Sequence, residues 1–258
     1  MRTLDGQTAL VTGGGKGIGR AIALALSARG VRVVVTGREE KALGETVGEI
    51  AHGGGKARHL AGDVRDPAHL AAAVERAIEV FGGLDIVIAN AGQSGLVALG
   101  GELERAEAIF QTNLMGAYYT FHAAVPRMTG PGRLLATSSV LAKFGVPGYA
   151  AYCASKAGIL GLCRAVAHEV AGKQITCNAI VPGWVNSDMA EVGLAEIGKA
   201  TGQTRAEVHR DAVSRFPLGR FIEPEEVAQL VVFMCGSAAD GITGQAISIC
   251  GGATAFGG

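Results

Sequence analysis

A chain of 258 residues with 23 basic and 23 acidic side chains has no net field with which to hold nucleic acid or an anionic membrane. Its 48% hydrophobic content is enough to fill a large core, and 40 glycines against 7 prolines, without a G-x-y period, exclude a collagen-like or disordered chain. Five cysteines without CxxC spacing and six histidines without an HxxxH pair predict no metal; with no long apolar span ahead of the first strand, they fit a reducing cytoplasm.

The first strand, TALVT at 8–12, runs into TGGGKGIG and a helix expected over 17–29. A glycine-rich turn between strand and helix is the context in which such a run cradles phosphate. Gly13 permits the tight turn, Gly17 lets backbone approach a pyrophosphate, and Gly19 lets the helix pack on the strand. The spacing is GxxxGxG, not the commoner GxGxxG. The second strand, VRVVVT at 31–36, ends in Thr36, Gly37 and Arg38 with no acid before Glu39. An acid there would take the adenosine ribose of NAD, whereas an arginine takes a 2′-phosphate. Lys16 adds a second cation, so these residues favour NADP.

A helix over 39–52 is closed by HGGGK (52–56), read as a helix-ending turn. Strand ARHLA (57–61), a helix over 67–81, strand LDIVIA (84–89) and a helix over 102–128 follow. Asn113 falls inside that last helix, where asparagine is intrinsically unfavourable; a kink with a buried hydrogen bond is as good a reading as a catalytic one. Strand RLLATS (133–138) delivers Ser138 and Ser139 to its C-terminal end, and alternation lets only one of them face a crevice. A helix over 150–171, strand ITCNAIV (175–181), a helix over 224–235 and strand AISIC (246–250) complete the chain. Alternating strands and helices predict a doubly wound, Rossmann-type α/β fold: a seven-stranded parallel sheet with helices on both faces. We expect one domain over 1–258. Between about 186 and 220 two short polar helical stretches interrupt the rhythm after a strand end, where such folds keep their substrate crevice, and this segment is read as a lid.

Tyr152 and Lys156 form an i, i+4 pair on one helix face, while Tyr149, at or before the helix start, has no lysine at that offset. Reduction of a carbonyl by hydride needs an acid to protonate the forming alkoxide. Free tyrosine titrates near 10, and bringing it to ~7 takes about 4 kcal/mol at 1.36 kcal/mol per unit. A close ammonium together with a nicotinamide's positive charge is the expected source of that lowering.

TGGGKGIG, the NAG of Asn90, Ala91 and Gly92, Asn113, Ser139, the Tyr152/Lys156 pair and PGWVNSDM (182–189) together resemble the single-domain short-chain dehydrogenase/reductases, in the family's order and over essentially the whole chain. The resemblance selects Ser139 over Ser138 as catalytic, because the family's serine stands thirteen positions before its tyrosine. It further implies that Asn113, Ser139, Tyr152 and Lys156 are the catalytic set. In that set Lys156 binds the nicotinamide ribose, and Asn113 holds a water linking the lysine to solvent. Asp63 would contact the adenine, Asn90 would steady the central strand beside the cofactor, and Val185 would reach the carboxamide. Gly13, Gly15, Lys16, Gly17, Ile18, Gly19, Arg38, Val64, Ala91, Gly92, Tyr152, Pro182, Gly183, Ser187 and Met189 complete the implied NADP site. The chain departs from the family at Ser187, usually Thr, and at Ala89, often Asn; a serine keeps the hydroxyl.

The endings FPLGRFIEPEEVA and GQAISICGGATAFGG are most similar to the ketoacyl and polyketide ketoreductase branch. The expected activity is NADPH-dependent reduction of a ketone. The alternatives are an NAD-linked alcohol dehydrogenase acting on a sugar, steroid or hydroxy acid, and a non-catalytic dinucleotide-sensing regulator. Trp184, Met189, Phe144, Val146, Leu141, Gln93 and Leu96 are candidates for an apolar mouth, and Arg127, Arg133 and Lys143 for a small cationic patch. The resemblance also implies a homotetramer built on the 113–128 and 152–171 helices.

Overall fold

Seven short apolar runs become strands because covered strands must be apolar on both sides, and their side chains divide by parity. In a computed structural model describing residues 3–255, Leu10, Val34, Val87, Leu134 and Ala136 face one helical layer. Ala9, Val11, Val33, Val35, Ile86, Ile88 and Leu135 face the other. The strands are β1 (Thr8–Thr12), β2 (Arg32–Gly37), β3 (Ala57–Ala61), β4 (Ile86–Ala89), β5 (Gly132–Thr137), β6 (Ile175–Pro182) and β7 (Ala246–Ile249). They form one sheet in the order β3-β2-β1-β4-β5-β6-β7, with every pairing parallel. The order reverses between β1 and β4, which opens a crevice at their C-terminal ends, where such folds bind ligands.

Helices α1 (Gly17–Ser27), α2 (Glu40–His52) and α9 (Pro224–Cys235) cover one face. Helices α3 (Pro67–Phe81), α5 (Gly116–Ala124) and α6 (Ala150–Val170) cover the other, with α4 (Leu103–Phe110) leading into α5. The doubly wound expectation therefore holds, and strand limits fall within two residues of those read from the sequence. Local chemistry sets the helix ends. Asp66 caps α3 by accepting the Ala68 N–H, Pro67 opens the helix, and Gly82 closes it at φ 85°.

The helix expected over 102–128 is not one helix. Residues Gln111–Met115 widen into a π turn between α4 and α5, and Pro126 tightens the end into a 3-10 turn. The insertion forms α7 (Asp188–Thr201), capped by the Ser187 hydroxyl, and α8 (Arg205–Ser214), opened by a Thr204/Glu207 capping box. It is less polar than its sequence suggests, because Leu194, Val208, Phe216 and Phe221 bury a small core of their own beside Trp184.

The cationic patch does not form. Arg133 is buried at the start of β5, where it pairs with Asp240 and donates to the Gly132 and Gly236 carbonyls. Arg127 pairs with Glu75, and Lys143 donates to Ser248 Oγ.

Candidate active site

The glycine-rich turn leaves β1 with Gly13 at φ 67° and Gly17 at φ 50°, conformations that disfavour a side chain. The Gly13 and Gly14 N–H groups both donate to the Thr36 carbonyl, locking the turn onto β2. At Gly19 a Cβ would lie 2.1 Å from the Gly13 carbonyl oxygen, so helix and turn meet at backbone contact. No side chain caps the N-terminus of α1, and its first turn has no acidic residue. Free N–H groups, positive partial charge and bare glycine backbone fit a pyrophosphate. The 182–189 segment closes on the same place: Ser187 Cβ lies 3.5 Å from where a Gly17 Cβ would stand.

Sequence reasoning missed Thr12 and Thr137. Thr12 Oγ1 accepts the N–H groups of Asn90 and Ala91, each at 3.0 Å, and Asn90 Nδ2 donates back to the Thr12 carbonyl at 3.1 Å. Thr137 Oγ1 donates to Asn90 Oδ1 at 3.1 Å, so one asparagine ties the ends of β1, β4 and β5. Gly15 and Ile18 lie in the turn and the first turn of α1, and buried Val64 packs against Gly116.

At the adenosine end Arg38 is exposed. Lys16 is not a free cation: its Nζ pairs with Glu39 at 2.7 Å, and hydrogen bonding to that carboxylate holds the ammonium above the usual lysine range. The Asp63 carboxyl is held down by the hydrogen-bonded Arg65 guanidinium, which engages it at 2.7 Å. Across the sheet edge Pro182 ends β6, the Gly183 N–H donates to the Ile249 carbonyl, Val185 is buried and Met189 is exposed.

The proton-transfer candidates meet at the C-terminal ends of β4 and β5. Tyr149 stands at the N-cap of α6, and Tyr152 and Lys156 follow on its buried face, 9% and 4% exposed. Lys156 Nζ donates to the Thr137 carbonyl at 2.9 Å and lies 5.8 Å from the centre of the Tyr152 ring. The two serines separate as alternation requires. Ser138 Oγ donates to the Lys156 carbonyl at 2.8 Å inside the core, while the Ser139 hydroxyl accepts the Leu141 N–H and acts to lower the Tyr152 phenol.

Asn113 explains the π turn. Its Oδ1 accepts the Gln93 N–H at 2.8 Å, and its Nδ2 donates to the Gln93 carbonyl and to Ser155 Oγ, each at 3.0 Å. Turning one buried amide toward three partners widens the helix at that point. Asn113 and Lys156 converge on Gly92, where a Cβ would stand 3.2 Å from both Asn113 Oδ1 and Lys156 Nζ.

Burial dominates the electrostatics. It pushes the Tyr152 phenol up to about 12, with the Ser139 hydroxyl acting in the opposite sense, and lowers the Lys156 ammonium to about 8. Desolvation sets this direction in the protein alone; the lowering expected of Lys156 takes a nicotinamide's positive charge beside it. Of the expected mouth residues, Leu96, Leu141 and Val146 pack around Tyr149 and Tyr152, Gln93 is held by Asn113, and Phe144 and Met189 are exposed. Trp184 stacks on Phe221 at 5.3 Å and packs with the insertion.

Residues 13–254 match a family model described as enoyl-(acyl carrier protein) reductase. The chain is 34% identical to a putative ketoacyl reductase of Streptomyces coelicolor over 260 residues, 98% of each protein. It superposes on an actinorhodin polyketide ketoreductase solved with NADPH at TM-score 0.94 and 34% identity, covering 99% of this chain and 100% of that one. A short-chain dehydrogenase of Burkholderia cenocepacia, solved with NADP, superposes at TM-score 0.88 and 32% identity over 98% of this chain and 99% of that one.

Proposed function

The chain belongs to the short-chain dehydrogenase/reductase family, in its ketoreductase branch, and from that premise we propose that it uses NADPH to reduce a ketone of the 3-ketoacyl or polyketide type. The observation that carries this reading is the meeting of Ser139, Tyr152, Lys156 and Asn113 at the sheet edge that also holds the bare glycine-rich turn. When bound, NADPH supplies the hydride; every other part of the chemistry falls to the chain's own residues.

Ser139 and Tyr152 polarise the substrate carbonyl, the serine donating from the N-cap of a 3-10 turn, where the Leu141 N–H it accepts fixes its direction. With its phenol at about 12 in the protein alone, Tyr152 is fully protonated at neutral pH and holds the proton that the reduced oxygen needs. Lys156, at about 8, is predominantly an ammonium at pH 7, and its charge favours the phenolate left behind. An ammonium has three donors. One is spent on the Thr137 carbonyl, leaving the others for the nicotinamide ribose and for the proton path that Asn113 borders at Gly92. Arg38, with Lys16 drawn away from Glu39, would hold the 2′-phosphate.

Residues 186–220 act as the lid of this single domain, with Met189 and Phe144 at the rim. The assembly is a homotetramer, which light scattering measures. The deciding experiment screens ketones for loss of reduced-nicotinamide absorbance with wild type and Tyr152→Phe. A loss of about 10²–10⁴ in turnover with NADPH binding retained is the expected result. Full activity in the phenylalanine variant would refute the assignment.

A further inference from the structure

Helix α7 is attached at two points that lie on opposite sides of the crevice. Its cap, Ser187, sits against Gly17 of the glycine-rich turn. Nine residues on, about 13.5 Å along the helix at 1.5 Å per residue, Glu196 reaches the loop between β4 and α4. One carboxylate oxygen, Oε2, accepts the Leu96 N–H at 3.1 Å, and the other pairs with the Arg105 guanidinium from α4. That guanidinium lies against Gly95, where a Cβ would stand 2.9 Å from Nη2, so the pair holds the loop at two consecutive residues. The carboxylate side chain is only 25% exposed, which distinguishes it from a solvated surface pair.

The gripped loop leads directly to the proton-transfer residues. Two positions earlier than Gly95, Gln93 is bonded through both its N–H and its carbonyl to Asn113. One position after Leu96, the Val97 N–H donates at 2.8 Å to the carbonyl of Gly148, the residue before Tyr149 at the head of α6. The Tyr149 phenol, raised chiefly by burial, is raised further by Glu196 and lowered by Arg105, so the ion pair stands beside that turn.

From this chain of contacts we infer that Glu196 and Arg105 are positioning residues: together they couple the placement of α7 to the loop that holds Asn113 and the Tyr149 turn. The inference rests on the reading of the site as a ketone reductase. Neither side chain touches a reacting atom; both act through residues 93–97.

The test is a double-mutant cycle with Arg105→Ala and Glu196→Ala, read by ketone KM and kcat, NADPH affinity, and amide hydrogen exchange at Leu96. Loss of a partly buried charge-assisted pair raises ketone KM about tenfold, with kcat and NADPH affinity within about threefold of wild type. The double variant shows no larger change than Glu196→Ala alone, because the two groups act as one unit. Leu96 exchanges faster in Glu196→Ala and recovers part of its protection in Glu196→Gln, whose amide oxygen still accepts the N–H. The glutamine variant also carries the test should the alanine variant fail to fold. Unchanged Leu96 exchange, or KM effects that add across the cycle, would overturn the inference. A wild-type protein that reduces no ketone would defeat the proposed function instead, and the exchange measurement would still judge the contact.

Discussion

Replacing Lys156 with methionine removes the ammonium from the site and is expected to make the fold more stable. Burial lowers this lysine from 10.5 to about 8, so at pH 7 the folded state carries a charge it solvates poorly. At 1.36 kcal/mol per unit that gap amounts to roughly 3 kcal/mol. Methionine fills the same slot without charge but gives up the bond to the Thr137 carbonyl, which returns about 1 kcal/mol. The net gain is about 2 kcal/mol, a rise of roughly 4–8 °C in Tm for a chain of this size. The sign with pH is fixed by the same gap. The penalty is complete below about 8, shrinks as pH rises toward 10.5 and is absent above it. Wild-type stability therefore climbs across that window, while the methionine variant lacks this rise. Tyr152 acts in the other direction: with its phenol raised from 10 to about 12, the folded state loses stability as pH climbs through that interval. Urea unfolding of both proteins at pH 7 and at several values up to 10, at equal protein concentration and without cofactor, measures the difference. A methionine variant less stable than wild type at pH 7 would refute the desolvation reasoning.

Other substitutions probe the remaining parts of the site. Arg38→Asp is expected to weaken NADPH binding by about 100-fold while leaving NADH within a few-fold, read by fluorescence titration; equal loss for both cofactors would count against a 2′-phosphate contact. In Gly19→Ala the new methyl meets the Gly13 carbonyl at 2.1 Å, and a backbone that cannot yield makes the fold less stable by about 2 kcal/mol or more. An unchanged thermal melt would show that the turn relaxes. Ser139→Ala should lower kcat by about 10²–10³ at near-normal stability. Ser138→Ala, which removes the bond to the Lys156 carbonyl, should instead cost about 1 kcal/mol of stability with kcat held within a few-fold. The reverse pattern would exchange the roles of the two serines.

What the sequence disclosed and what it hid divide by the range of the forces involved. Runs such as VRVVVT could be placed because covering both faces of a strand demands continuous apolar residues, a local requirement. The glycine-rich turn was legible for the same reason, since positive φ and helix-to-turn contact leave their mark within a few positions. Hidden features depend on partners brought together by the sheet. Thr12 meets Asn90 across 78 positions and Thr137 meets it across 47, and no spacing rule connects them. Arg133 reads as a surface cation until Asp240, 107 positions away, completes its pair. The π turn at Gln111–Met115 left only an awkward asparagine as its signal, because a single widened turn barely disturbs apolar spacing. The least legible quantity was the acidity of Tyr152. The expected lowering takes the i, i+4 lysine together with a nicotinamide's charge, and helix spacing reports only that two groups are near, not how dry their surroundings are. Here Lys156 has turned to the Thr137 carbonyl and both groups are buried, so desolvation sets the direction for each. The phenol is thus protonated in the protein alone, and under the proposed function its acidity would come from positive charge gathered at the site.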